Sequence, residues 1–213
     1  MPRLRIKFYK GQETKYISHL DLMRLLERAL HRAGMQLAYT EGFSPHPRIS
    51  LAAPLALGVT SGAELMDVVL EKGASPHFFI TAVNNKLPAG VGILQAHAIG
   101  SNEPSLQSLV RQAEYEATVE TEKERDEIEA NICHLLEAKH LPWQHLRDTG
   151  PRHYDLRALI DELWLVKLAP PLCTVGMRLR CGSNGSGRPE QVLKALGFDQ
   201  YAEIIQRTKL ILK

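Results

Sequence analysis

Apolar and polar residues alternate along the first half of this chain in a way that predicts short strands and amphipathic helices. Residues 4–9 alternate in period two, which is typical of a half-buried strand with Arg5 and Lys7 facing away from the core. Residues 19–33 instead place apolar side chains every three or four positions, which predicts a helix with one buried face. The other elements predicted in this half are strands at 49–57, 64–71 and 91–99 and a helix that runs from Pro76 towards Leu87.

The same order of strands and helices recurs in the second half. The pattern predicts strands at 115–120, 163–168, 175–180 and 206–212 and helices at 122–139 and 188–197. Residues 101–112 are interpreted as a linker that leads into a short helix, and residues 142–157 as an irregular basic insert. Each half thus has the order β-α-β-β-α-β. We therefore predict an α+β protein of two tandem ferredoxin-like halves, at residues 1–100 and 113–213.

The helix-loop stretch at residues 16–50 concentrates polar side chains. Ser18 and Asp21 form a capping-box pattern, in which the carboxylate is expected to reach back to the Ser18 amide. The face opposite the apolar one carries four basic side chains, and the loop after Gly34 adds two more next to Pro45 and Pro47. These residues are Arg24, Arg28, His31, Arg32, His46 and Arg48. The pattern favours a functional surface, although the same arginine spacing also fits an ordinary solvated helix face.

The net charge of +2 conceals an uneven distribution. Residues 1–60 sum to +5, residues 61–140 to −7 and residues 141–213 to +4. Basic ends around an acidic middle suit a protein with a positive surface for phosphates. An acidic middle is also what ordinary solvated helices produce. With 44% hydrophobic and 23% charged residues the chain should fold, and no apolar run is long enough for a membrane span or a signal peptide. We expect a cytoplasmic protein with no membrane partner.

The three cysteines argue against several kinds of site. Cys133, Cys173 and Cys181 are odd in number and include no C-x-x-C pair, which speaks against a disulfide framework and a zinc ribbon. An iron–sulfur cluster needs thiolates grouped more closely than these. We therefore expect no metal and no cofactor in this chain.

A glycine-rich loop at residues 182–189 is the second candidate for a binding site. Gly182, Gly185 and Gly187 precede Arg188 and then Pro189, which suits the first position of a helix. Free backbone amides and Arg188 at the positive end of a helix dipole could hold an anion. The loop lacks the Gly-Lys-Ser/Thr ending of a P-loop, and a flexible connection before an ordinary helix is an equally good interpretation.

Four motifs carry a resemblance to a known family. They are Lys-Tyr-Ile-Ser-His-Leu-Asp-Leu-Met-Arg, Arg-Ala-Leu-His-Arg-Ala-Gly, Glu-Gly-Phe-Ser-Pro-His-Pro-Arg-Ile-Ser and Ala-Pro-Leu-Ala-Leu-Gly-Val. Together they resemble the bacterial radical-SAM-linked proteins, a family of unknown function encoded beside, or fused to, a radical SAM protein. The match is specific over about the first 70 residues and diffuse after them. The resemblance implies a radical SAM partner and assigns no site residues.

The favoured hypothesis is a non-catalytic, RNA-associated accessory protein that binds or presents substrate for this partner. The family often occurs near ribonuclease and ribosomal-protein genes, and ferredoxin-like sheets are frequent RNA platforms, although the latter is analogy from fold. We expect phosphate contacts from basic side chains, and stacking from Tyr154 and Trp143. The full set expected to contact nucleic acid is Arg24, Arg28, Arg32, His46, Arg48, Arg152, Tyr154, Arg157 and Arg188.

Two alternatives stay open. In the first, the chain is a metal-independent endoribonuclease, distantly similar to CRISPR repeat-processing enzymes, with His19 or His46 as the acid–base residue because imidazole titrates near neutrality. In the second, it is a protein–protein adaptor that binds through the acidic helix at 122–139.

Overall fold

A computed structural model describes residues 1–147, 150–182 and 185–213, without the side chains of residues 145–147 and 152. The described residues contain five α-helices and ten strands, so the α+β class is confirmed. The chain divides into two compact units. Unit 1 comprises Met1–Val110 with Leu212–Lys213, and unit 2 comprises Arg111–Ile211.

Four strands of unit 1 pair antiparallel in the order β4-β1-β3-β2. Two helices follow the first and third strands, and a short third helix follows the sheet. The elements are β1 (Arg3–Lys10), α1 (His19–Arg32), β2 (Ile49–Leu51), β3 (Thr60–Val69), α2 (Pro76–Asn84), β4 (Val91–Ile99) and α3 (Leu106–Leu109).

The predicted alternation of β1 explains how unit 1 is layered. Alternate residues of β1 are buried in one cluster with the apolar faces of both long helices, because a strand turns successive side chains to opposite faces. The cluster includes Leu4, Ile6, Phe8, Leu22, Leu26, Leu30, Phe79 and Val83. Both helices therefore lie against one face of the sheet, and Arg3 and Arg5 occupy the other.

The start of α1 agrees with the capping prediction in part. The Ser18 hydroxyl accepts a hydrogen bond from the Asp21 amide at 3.1 Å, as a helix N-cap should. The Asp21 carboxylate, however, accepts from the Ser18 hydroxyl at 2.6 Å, and no contact with the Ser18 amide is found among the described residues. The predicted reciprocal bond to that amide was wrong, because the side-chain hydroxyl offers the carboxylate a nearer donor.

Four strands of unit 2 pair in the order β10-β5-β9-β8. Its strand β9 pairs antiparallel with both β5 and β8. The elements are β5 (Val110–Glu120), α4 (Arg125–Glu137), β6 (Pro142–Arg147), β7 (Gly150–Asp155), β8 (Ile160–Ala169), β9 (Leu172–Arg180), α5 (Pro189–Ala195) and β10 (Ile204–Leu212).

The segment at 142–157 differs from its prediction. It forms an antiparallel hairpin of β6 and β7, in which Trp143 pairs with Tyr154. The alternation of apolar and polar residues in this segment is short and is interrupted by prolines 142 and 151 and by the basic residues between them. Periodicity therefore predicted no strand here. Strand β2 is also shorter than predicted. It ends at Leu51, before Pro54, which has no amide to donate to a ladder.

Candidate functional site

Helix α1 exposes all three of its arginines, and two of them, Arg24 and Arg28, form the candidate surface. Arg24 lies 3.4 Å from Asp21, but the arginine side chain is 66% exposed and the pair is solvated, so this contact leaves Arg24 available to a ligand. Arg28 is exposed and forms no ion pair with a described residue. Their spacing of four residues places them one turn apart on the same face. They therefore form a short positive edge along the outer side of the helix.

Arg32, predicted to belong to the same edge, has a structural contact. Its guanidinium donates to the Lys86 carbonyl oxygen at 2.7 Å, which ties the last turn of α1 to the chain after α2. A cation near a helix C-terminus also interacts favourably with the helix dipole. We therefore leave Arg32 out of the candidate surface.

The loop at residues 39–48, called the tip loop below, is closed by hydrogen bonds. The Thr40 amide donates to the His46 carbonyl at 2.9 Å, and the His46 amide donates to the Thr40 hydroxyl at 3.0 Å. The Arg48 amide donates to the Ala38 carbonyl at 2.8 Å. Gly42 has φ +118°, a conformation that other residues rarely adopt. The side chains of His46 and Arg48 are both exposed on this closed loop.

A ring contact connects the tip loop to α1. The Tyr39 hydroxyl lies 3.0 Å from His31 Nε2, and the two rings are stacked with centroids 6.4 Å apart. His31 is on the last turn of α1, beside Arg28. The contact therefore holds the tip loop next to the basic edge of the helix. Arg24, Arg28, His46 and Arg48 belong to one helix-loop region of unit 1, which we call the helix-loop surface.

A buried lysine fixes the turn that leads into α1. Lys10 is 1% exposed, and its ammonium donates to the carbonyls of Lys15 and Ile17 at 3.0 and 3.3 Å. The turn exposes Tyr16, whose ring lies 5.0 Å from the Lys15 ammonium. Sequence reasoning missed this anchor. The signal was present, because Lys10 follows Leu4, Ile6 and Phe8 in the core-facing register of β1.

The two histidines considered for catalysis are not arranged as an acid–base pair. His19 is half-buried, and its Nδ1 atom is buried without a hydrogen-bond partner among the described residues. His46 is exposed, and its imidazole makes no hydrogen bond to any side chain that the structure describes. A catalytic base is usually oriented by a neighbouring group, so the geometry offers the nuclease hypothesis no support.

Three candidates from the second half lie in the β6–β7 region of unit 2. Arg157 donates to the Leu136 carbonyl at 2.8 and 3.2 Å and to the Ile160 carbonyl at 2.6 Å, so its guanidinium connects the last turn of α4 to the start of β8. The Tyr154 hydroxyl donates to the Gln191 side chain. Tyr154 and Trp143 are half-buried, which limits the ring surface they can offer to a base. The Arg152 side chain lies outside the described residues.

The glycine-rich loop also differs from the expectation of free amides. The Gly185 amide donates to the Gly182 carbonyl at 3.2 Å, and the Gly187 amide to the Arg180 carbonyl at 2.9 Å. The Gly182 amide lies 3.4 Å from the Ser186 hydroxyl, and residues 183–184 are outside the described part. A Cβ at Gly187 would lie 3.0 Å from Leu179 Cβ, so this glycine permits close packing. Arg188 is exposed at the start of α5, a helix of seven residues.

The acidic helix predicted at 122–139 is α4. Two of its carboxylates are in ion pairs one turn apart, Glu127 with Lys123 and Glu129 with Arg125. Asp126 and Glu137 are exposed and form no ion pair with a described residue. The helix therefore presents a face that is less negative than its composition indicates.

The described residues contain no group of three or more His, Cys, Asp or Glu side chains that could hold a metal ion. Cys133 is exposed, whereas Cys173 and Cys181 are buried, and all three are free thiols. Burial raises the pKa of the Cys173 thiol, which disfavours its thiolate. In the part of the chain that the structure describes, no helix is long and apolar enough to cross a membrane.

Comparison with known proteins identifies a family. Residues 3–189 match the family described as "Uncharacterized protein conserved in bacteria (DUF2344)". The chain belongs to this family. Its description names neither a partner nor a reaction, and no curated protein matches the chain.

Two solved structures resemble the chain. One is described as "Crystal Structure of a Cbf5-Nop10-Gar1 Complex", with a TM-score of 0.53 at 10% identity over 98% of this chain and 48% of that one. The other, "Crystal structure of the archaeal box H/ACA sRNP Nop10-Cbf5 complex", has a TM-score of 0.49 at 11% identity over 97% and 46%. The chain therefore spans about half the length of these relatives. At such low identity the first likeness concerns the fold alone.

Proposed function

We propose that this protein is a non-catalytic, RNA-associated accessory protein that binds or presents substrate for a partner radical SAM enzyme. The observation that carries the RNA role is the helix-loop surface of unit 1. There Arg24, Arg28 and Arg48 are exposed cations without strong intramolecular partners. Lys and Arg at such positions release counterions when they contact phosphates, which drives RNA binding.

The fold supports this role by analogy. Each unit has the order β-α-β-β-α-β with the first strand of the unit in the interior of its sheet, in the order 4-1-3-2. We propose that the two units are tandem ferredoxin-like halves, the β6–β7 hairpin being an insertion in the second. Such sheets carry many unrelated functions, so the RNA role rests on the surface and not on the fold.

The RNA role is tested by the salt dependence of binding. In the Arg24→Ala/Arg28→Ala variant, the slope of log affinity against log salt for an RNA stem-loop should fall by about 0.7 to 0.9 for each lost contact. The variant should be as stable as the wild type within about 0.5 kcal/mol per site, because both side chains are solvated. The matched control is Lys167→Ala/Lys194→Ala, which removes two exposed cations from unit 2 and should leave the slope unchanged.

An unaltered slope in the arginine variant would remove the helix-loop surface from the proposal. Equal losses in both variants would show that binding follows net charge and has no defined surface. Clean, metal-independent cleavage that disappears in His19→Ala or His46→Ala would instead favour the nuclease.

The partner role rests on the sequence resemblance and on the placement of the cysteines. Three cysteines, of which two are buried, leave the cluster of a radical SAM reaction to a second protein. We propose that the partner docks on the exposed face of α4, leaving the helix-loop surface free for substrate. Co-expression with the neighbouring radical SAM protein tests this, and Asp126→Lys/Glu137→Lys should reduce its recovery. If the radical SAM protein neither co-purifies nor changes its activity when this chain is added, the accessory role fails even where RNA binding holds.

A further inference from the structure

Unit 1 has a cleft of about 540 Å³ at the base of the tip loop. Thr40 and Arg48 of the tip loop form one side, and Ser50 and Asp67 come from the paired strands β2 and β3. Arg3 and the turn around residue 103 complete the lining. The volume lies within the range of small-ligand sites, and hydroxyl and guanidinium groups supply several hydrogen-bond donors.

The charges around this cleft leave one cation unpaired. Asp67 is 2% exposed and accepts from Arg3 at 2.5 Å and from Arg5 at 2.9 and 3.0 Å, so two guanidinium groups share one carboxylate. The guanidinium of Arg48 forms no ion pair with a described carboxylate, and its contact in the structure is the weakly accepting Met1 sulfur at 3.9 Å. Two arginines, Arg3 and Arg48, line the cleft together with Asp67 and Glu103, and Asp67 is already engaged by Arg3 and Arg5. Arg48 is therefore the cation of this cleft that is available to an anion.

The tip loop also holds a phenylalanine in solvent, five residues before Arg48 in the sequence. Phe43 is 110% exposed, the highest value among the large apolar side chains. The loop that carries it is closed by the Thr40–His46 hydrogen bonds, and Pro45 and Pro47 fix φ at two further positions. A ring displayed on a closed loop loses little conformational entropy when a ligand stacks on it.

We propose that the tip loop and the cleft beneath it form a binding site for single-stranded RNA. Arg48 holds a phosphate at the mouth of the cleft, and the Phe43 ring stacks on a base of the same strand. Arginine matches phosphate geometry through paired N–H donors, and aromatic rings stack on any unpaired base. Bases within a duplex are already stacked on each other, so the site selects unpaired strands. This site rests on the proposed function and specifies the substrate class of the same surface.

The test compares two probes and two phenylalanine variants of the full chain. The probes are a fluorescently labelled oligouridylate and a blunt RNA duplex of the same length, and 2-aminopurine at the centre of the single strand reports stacking. Phe43→Ala should weaken binding of the single strand by about tenfold, the loss expected for one base–aromatic stack, and abolish the quenching of 2-aminopurine. Phe43→Tyr should restore both. The matched control is Phe78→Ala, since Phe78 is an exposed phenylalanine on α2 in the same unit.

Arg48 is tested through the salt slope. Arg48→Ala should lower the slope for the single strand by about 0.7 and Arg48→Lys should keep it, because lysine retains the charge. The fold should tolerate both changes, since the backbone amide of Arg48, and not its side chain, closes the tip loop.

The outcomes separate this site from the proposed function. If the wild type binds neither probe at low salt, the RNA role itself fails and the site fails with it. If RNA binds with the slope expected for Arg24 and Arg28 but Phe43→Ala binds the oligouridylate as the wild type does, the RNA role stands and the site is refuted. Equal losses for single strand and duplex would refute the selection of unpaired strands.

Discussion

The ion-pair cluster behind the cleft allows a stability prediction of defined size. Asp67 is almost completely buried, and the side chains of Arg3 and Arg5 that share it are each 14% exposed. The hydrogen bond from Arg5 to Asp67 raises the pKa of Arg5, which keeps its guanidinium charged. Replacing Asp67 with Ala leaves two largely buried cations side by side without their shared carboxylate.

The expected loss of stability depends on the hydrogen bonds that the two arginines keep when Asp67 is replaced. Removing one partner of a buried ion pair costs about 3 to 5 kcal/mol, because the remaining charge is left uncompensated. Here Arg3 still donates to the carbonyls of Glu103 and Pro104 at 2.7 and 3.1 Å, and Arg5 to that of Pro104 at 3.3 Å. We therefore expect the lower end, about 3 kcal/mol, for Asp67→Ala.

The assay must report on unit 1. The two tryptophans of the chain, Trp143 and Trp164, are both in unit 2, so fluorescence does not follow the unit that carries the change. Native-state hydrogen exchange at the β1 and β3 amides measures the opening of unit 1 directly. Their opening free energy should fall by about 3 kcal/mol in Asp67→Ala and by less than about 0.5 kcal/mol in the control Glu71→Ala, an exposed carboxylate beyond the end of β3.

A loss below about 1 kcal/mol in Asp67→Ala would refute the reasoning. The carbonyl acceptors alone would then hold the two arginines, and the carboxylate would contribute little. A loss of about 3 kcal/mol shared equally by Glu71→Ala would show that the effect is one of net charge and not of burial.

Two further predictions concern local stability. The hydrogen bond from the Leu141 amide lowers the pKa of Asp155. This carboxylate therefore stabilises the β6–β7 hairpin above its unfolded pKa of about 4, and the contribution is lost as pH falls through the lower folded pKa. Hydrogen exchange of the hairpin amides should accelerate in this acidic range in the wild type and show no such dependence in Asp155→Asn. Gly90 has φ +86°, and a Cβ there would lie 2.9 Å from a neighbouring side chain. Gly90→Ala should therefore lower the free energy of unfolding, measured by thermal unfolding, by more than about 1 kcal/mol. The control Gly34→Ala should lower it clearly less, because Gly34 has φ +75° but nothing within 4 Å of its Cβ position.

Much of the candidate surface could be predicted from the sequence, because its position depends on local pattern. The period of α1 fixes that Leu22 and Leu26 are buried and that Arg24 and Arg28 are exposed, since the faces of a helix depend on residues three and four apart. The alternation of β1 likewise separates its core face from its polar face. Apart from the β6–β7 hairpin, the order of strands and helices in each unit follows from the same local periods.

Contacts between distant residues were decided by the tertiary structure alone. Arg32 and Arg157 have the same chemistry as Arg28, yet they donate to carbonyls 54 and 21 residues away, and nothing near them in the sequence indicates those acceptors. The Gly185 and Gly187 amides donate to the carbonyls of Gly182 and Arg180, and the glycine pattern of this loop did not indicate that they are occupied. An anion site requires donors that are free, and whether a donor is free depends on the path of the whole chain.

The tip loop combines features that the sequence predicts with features that only the tertiary structure decides. Its prolines and its glycine predict a stiff turn from local backbone chemistry, and Arg48 is recognisable as a cation. Other features depend on how the loop returns to α1 and β2. These are the full exposure of Phe43, the contact of Tyr39 with His31 and the position of Arg48 beside a cleft without a carboxylate partner. The sequence gives the type of each side chain. Its exposure and its partners depend on the folded structure, because burial is set by residues that are far away in the sequence.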